Sequence, residues 1–113
     1  MTMRTRSLLL LAAVLACNLA HAETLTLDET MTARRALDNV QTLESRASDQ
    51  PEVRAWLLDP IGAARASLDT AERPDAKHRL LDVAIRAHVA AMLLNAPMLG
   101  VAAGTVELLA ERL

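Results

Sequence analysis

The stretch Leu58–Ala91, LDPIGAARASLDTAERPDAKHRLLDVAIRAHVAA, decides the fold class. Ile61, Ala64, Leu68 and Ala71 recur at three and four residues, the spacing of one helix face. Asp59 before Pro60 is a start signal, because proline is pre-organised for the first helical position. Glu72-Arg73-Pro74-Asp75 reads as a turn, since a residue before proline avoids helical angles and Asp75 can cap the next helix. That second helix is predicted from Ala76 to about Asn95. Leu80, Leu81, Ala84, Ile85, Ala91 and Met92 form its apolar arc, and His88 falls inside that arc. Two helices joined by a short turn make an antiparallel hairpin.

The flanks extend this pattern. Upstream, Ala33, Ala36, Leu37, Val40, Leu43 and Ala47 mark a helix from about Asp28 to Ala47. Thr26, Asp28 and Glu29 supply its cap and its favourable dipole charge, and Ser48-Asp49-Gln50-Pro51 ends it. Asp49 to Glu52 reads D-x-x-E, a capping-box-like start for a short helix over residues 51–58 that holds Val53, Trp56 and Leu57. Residues 60–72 form the next. The alternative is a single helix kinked at Pro60. Downstream, Asn95-Ala96-Pro97 breaks the chain before a last helix from about Pro97 to Arg112. The expectation is an all-α, up-and-down antiparallel bundle of four to five helices.

Composition agrees. The chain has no Phe, no Tyr and one Trp, so the side chains that favour strands are scarce, while the helix formers Ala and Leu dominate. An Ala-rich core buries little area per residue, and self-association is one remedy.

The first 22 residues read as a secretory signal. Arg4 and Arg6 precede the apolar run Leu8–Ala16, and Ala20-His21-Ala22 offers a cut before Glu23. The run is too short to span a bilayer. Val14-Leu15-Ala16-Cys17 partly matches a lipoprotein box, so lipidation at Cys17 is the alternative to release. Cutting after Ala22 leaves one domain, residues 23–113. Arg4 and Arg6 leave with the signal and no acid does, so 10 basic face 14 acidic residues, a net charge of −4. That balance excludes nucleic-acid binding on charge grounds. No cysteine remains, so a packed core must replace disulfide staples in an oxidising compartment.

Several constellations carry candidate function. Ala87 to Val106 holds no Asp, Glu, Lys or Arg, which reaches membrane-spanning length. Asn95, Pro97, Gly100 and Gly104 interrupt it and favour a buried helix pair. Gly100 and Gly104 form a G-x-x-x-G step suited to tight packing or self-association. His78 and His88 are about 15 Å apart along one helix and cannot share a metal. Asp75, His78 and Asp82 share a face, which reads as a solvated face rather than a metal site. His88 should lie at the core edge, bonded to a neighbouring helix or to a ligand. Trp56 anchors its helix to the bundle or a partner to the protein. Charges pair at four residues: Arg34 with Asp38, Arg65 with Asp69, Asp69 with Arg73, Asp75 with Arg79, and Asp82 with Arg86. No nucleophile triad, phosphate loop, haem motif or zinc pair is visible.

Leu58–Ala91 also resembles small bacterial envelope proteins of unknown function, which are Ala-rich helical hairpins and often lipoproteins. The likeness rests on Pro60 opening a helix with Ala63, Ala64, Ala66 and Leu68, on the turn at Asp75, and on Leu81, Ala84, Ile85 and Ala91 beyond it. It implies an envelope hairpin and no catalytic residues. Together these features predict an exported, non-enzymatic bundle without cofactor that binds another protein or itself. The expected face carries Gly100 and Gly104, with Trp56 as a second contact. The alternatives are a small-ligand or metal binder using His88, and a lipoprotein anchored through Cys17. A membrane enters only in that last case.

Overall fold

The computed structural model describes residues 23–113, which form an all-α four-helix bundle. The signal and the Cys17 box lie outside the described residues. Helix α1 spans Leu27–Ala47, α2 Pro51–Ser67, α3 Arg73–Leu93 and α4 Pro97–Glu111. Each packs on its chain neighbour, and α1 also packs on α4, which closes the ring.

Helix α1 begins where Thr26 and Glu29 cap each other. The Thr26 amide donates to Glu29 Oε1 at 2.9 Å, and the Glu29 amide donates to Thr26 Oγ1 at 3.2 Å. This reciprocal box satisfies two of the orphan amides at the helix start. At the other end, Arg54 of α2 donates to the Ser48 and Ser45 carbonyls. A cation placed there also opposes the negative end of the helix dipole.

The expected break at Pro60 is absent, and residues 51–58 and 60–67 form one helix. Proline lacks the N–H that would bond the Trp56 carbonyl one turn earlier. Arg86 of α3 supplies the missing donor, with Nη1 2.8 Å from that oxygen. Its guanidinium also lies 5.4 Å from the Trp56 ring centroid. A neighbouring helix thus repairs the defect that would end an isolated one.

Other boundaries shift too. Helix α2 ends at Ser67 rather than residue 72, and α3 starts at Arg73 rather than Ala76. Asp75 therefore sits in the first turn of α3 and is not its cap. The Arg73 amide donates to the Glu23 carbonyl at 3.0 Å, and Thr24 bridges to Glu72. These bonds hold the start of α3 against the segment before α1. The α3–α4 connection is a Schellman turn. Asn95 takes φ 52°, the Ala96 amide reaches the Ala91 carbonyl at 2.8 Å, and the Asn95 amide reaches that of Met92 at 3.4 Å.

Among the described residues, ten of the twenty buried apolar side chains are Ala, which permits close approach of the helices. That moves the buried face of α3. Ala76, Leu80, Val83, Ala84, Ala87 and Ala90 line the core, while Ile85 and Met92, expected inside, face water. Four of these six buried residues are Ala, so α3 presents a mostly small face to the core, with Leu80 and Val83 as its larger members.

The charges also pair differently. Of the five expected pairs, only Asp82–Arg86 forms within its helix, at 3.1 Å. Arg34 reaches Asp69 at 2.7 Å, and Arg65 reaches Asp38 together with Gln41. Arg73 holds Glu29 through two bonds of 2.7 and 2.6 Å. These ions lie along the seams between helices, where a partner on the next helix is nearer than one a turn away.

Candidate interaction surface

Two contacts fix the relative height of α3 and α4. A Cβ placed on Gly100 would meet Ala91 Cβ at 3.6 Å, and His88 Nε2 lies 3.1 Å from Glu107 Oε2. Between these heights, the antiparallel rise of 1.5 Å per residue sets Met92 level with Val101 and Ile85 level with Leu108. Ile85, His88 and Met92 share one face of α3, and Val101, Gly104 and Leu108 share one face of α4.

All four large side chains of that surface stand in water. Ile85 is 63% exposed, Met92 76%, Val101 63% and Leu108 58%. The outer face of the α3–α4 hairpin therefore carries two apolar rungs. The half-exposed His88–Glu107 pair and Gly104 lie between them. Nothing lies within 4 Å of a Cβ built on Gly104. The glycine leaves a shallow centre on this face and is not required by packing inside the chain. Gly100 differs, since its space abuts Ala91.

His88 sits at the edge of the bundle and is bonded to α4 through Glu107. Trp56 is 39% exposed, tied to α3 through Arg86. It lines an apolar groove of about 360 Å³ between α2 and α3, together with Glu52, Val53, Val89, Ala90 and Leu93. Among the described residues, no three His, Cys, Asp or Glu side chains are placed to hold a metal ion. Asp75, His78 and Asp82 are exposed along α3, and Asp82 is taken by Arg86. No helix among these residues is long and apolar enough to cross a membrane. The uncharged run Ala87–Val106 is instead the end of α3, its turn and most of α4.

Sequence reasoning missed Glu44. It is fully buried near the end of α1, and neither carboxylate oxygen has a hydrogen-bond partner among the described residues. Burial pushes its carboxyl up from the usual range, and the nearby Arg54 charge opposes that shift. The signal was available, because residue 44 follows Ala33, Leu37 and Val40 at helical spacing. Glu29 is the opposite case. The Arg73 guanidinium, with the Thr26 amide, holds its carboxyl down at about 2.

Compared with protein-family models, curated proteins and solved structures, the chain matches none.

Proposed function

We propose that this chain is an exported helical-bundle protein that works by protein–protein contact through the outer face of α3 and α4. The observation that carries this reading is the pair of apolar rungs, Met92 with Val101 and Ile85 with Leu108. Together they leave roughly 500 Å² of apolar surface in water, in the upper part of the range for the largest patch on a monomer, which is often functional. The Trp56 groove offers a second contact on the α2–α3 side. The Arg-flanked apolar run and the Ala-x-Ala site support export. The likeness of Leu58–Ala91 to envelope hairpins supports the same compartment.

A metal or small ligand held by His88 has less support, because the imidazole is paired with Glu107 at the rim and lines neither the Trp56 groove nor the core. Photo-crosslinking in the native host tests the interaction reading. A photoreactive residue at Met92 or at Leu108 should capture protein, whereas one at Thr42, on the far side of α1, should not. Equal capture at all three positions, or none at Met92 and Leu108, would end the proposal. Intact mass tests the export reading. A chain starting at Glu23 means release, and an acylated chain starting at Cys17 means a lipid anchor.

A further inference from the structure

We infer that the partner on this face is a second copy of the chain, in a two-fold dimer whose α3 lies on the partner copy's α4 with all helix axes parallel to the dyad. The inference rests on reading the α3–α4 face as an interaction surface and goes further by naming the occupant and its orientation.

Three observations support a second copy. The first is area. A standard interface takes about 800 Å² from each partner, and homodimer interfaces are about 65% apolar. That requires on the order of 500 Å² of apolar surface per copy, which is what the two rungs supply. The second is self-complementarity. A two-fold interface uses the same patch on both copies. The rungs stand at matched heights, Met92 against Val101 and Ile85 against Leu108, one on each side of Gly104. A dyad running between α3 and α4 places Met92 on the partner's Val101 and Ile85 on the partner's Leu108. Gly104 leaves room at the centre for the close approach.

The third is charge, and it selects the orientation. His88 and Glu107 use only Nε2 and Oε2 with each other, so a second ring nitrogen and a second carboxylate oxygen remain on a half-exposed surface. A dyad along the helices sets each His88 over the partner's Glu107. A dyad across the helices, at the height midway between the rungs, would instead set α3 on the partner's α3, with each His88 over the partner's His88 and neither Glu107 opposite an imidazole. Complementary groups facing each other across an interface fix its register, which favours the dyad along the helices.

Sedimentation and cysteine pairing of the purified protein test both parts. The expected result is a concentration-dependent dimer whose dissociation constant rises roughly a hundredfold or more in Met92→Glu, because symmetry buries the charge twice. Circular dichroism should show an unchanged fold, since Met92 is exposed. When single Met92→Cys and Val101→Cys variants are mixed and oxidised, peptide mapping should find residue 92 linked to residue 101. Preferential linking of Met92→Cys to Ile85→Cys would overturn the parallel arrangement. A monomer up to about millimolar concentration would overturn the second copy as partner. The Met92 crosslink then separates the dimer from the surface on which it rests. Capture of a different protein leaves the interaction surface standing, whereas no capture removes both.

Discussion

Replacing Arg86 tests how a proline survives inside α2. The Trp56 carbonyl has lost its helical donor to Pro60, and Arg86 Nη1 stands in at 2.8 Å. Removing the donor from this exposed carbonyl costs about 1 kcal/mol, the net worth of an ordinary hydrogen bond. The guanidinium over the Trp56 ring adds about 0.5 kcal/mol and the Asp82 pair a few tenths. Arg86→Met keeps the aliphatic stem, so the expected loss is about 2 kcal/mol. With a urea slope of roughly 1 kcal/mol per molar for a chain this small, the unfolding midpoint should fall by about 2 M. A double-mutant cycle then isolates the repair. Pro60→Ala restores the N–H that bonds the Trp56 carbonyl, so in that background Arg86→Met should cost only about 1 kcal/mol. The coupling of about 1 kcal/mol is the quantity at stake. Urea melts of the four proteins, followed by far-UV circular dichroism and by the single Trp, measure it. If the two substitutions add to within about 0.3 kcal/mol, the carbonyl does not depend on Arg86 and the account of the unbroken helix is wrong.

Three further outcomes are expected. Glu44→Met should stabilise the fold at pH 7 by about 1–2 kcal/mol, since it removes a buried carboxylate without partners. Burial disfavours the charged form and raises the folded pKa, so wild type loses stability relative to this variant as pH rises through the carboxylate range; thermal melts from pH 4 to 8 showing a constant gap would contradict it. Glu29 works in the other direction. Its carboxyl is held at about 2, so its contribution is complete above the ordinary carboxylate range and is lost as acid takes the protein from about pH 5 toward 2. Arg73→Gln should return the Glu29 titration toward the usual range by NMR, and an unmoved titration would assign the shift to the Thr26 cap alone. Gly104→Ala should raise the melting temperature of the monomer, measured at a dilution where no dimer forms, by about 4 °C, because within one chain the site is helical with open space around it and Ala is favoured there by about 0.5–1 kcal/mol. A fall in Tm would mean that the space is occupied.

The helices were legible because their signals are local. The Thr26–Glu29 cap, the Asn95-Ala96-Pro97 break and the three-and-four spacing of Leu37 and Val40 act within a turn or two. Four features were not legible because their cause lies on another helix. Pro60 reads as the start of a new helix until Arg86 reaches the Trp56 carbonyl. Arg34 and Arg65 read as partners of Asp38 and Asp69 on their own segments until α1 and α2 pack, whereupon the two arginines exchange acids. Ile85 and Met92 read as core because spacing reports a face and not which of two overlapping faces turns inward. Gly100 and Gly104 read as one motif, yet only Gly100 abuts the neighbouring helix. Glu44 escaped for a different reason. Its position fits the apolar stripe, but a carboxylate reads as a surface residue whatever its spacing.

The choice between those two faces of α3 connects composition to the proposed surface. A helix in a four-helix ring can bury only an arc, and α3 has apolar residues over more than one arc. One candidate set is mostly small, Ala76, Ala84, Ala87 and Ala90 with Leu80 and Val83. The other is large, Ile85 and Met92 with half-buried Leu81. Burying the large set would gain more area per residue. It would also push α3 away from α2 and α4, since a core packed to crystal-like density has no slack for added volume. The small set goes inside, and the larger apolar area of the helix is left outside. A monomer built this way is held together modestly and exposes what it could not bury. Covering Ile85 and Met92 with Leu108 and Val101 of a second copy recovers that area without disturbing the Ala seams, which is why the residues excluded from the core and the residues proposed for the interface are the same ones.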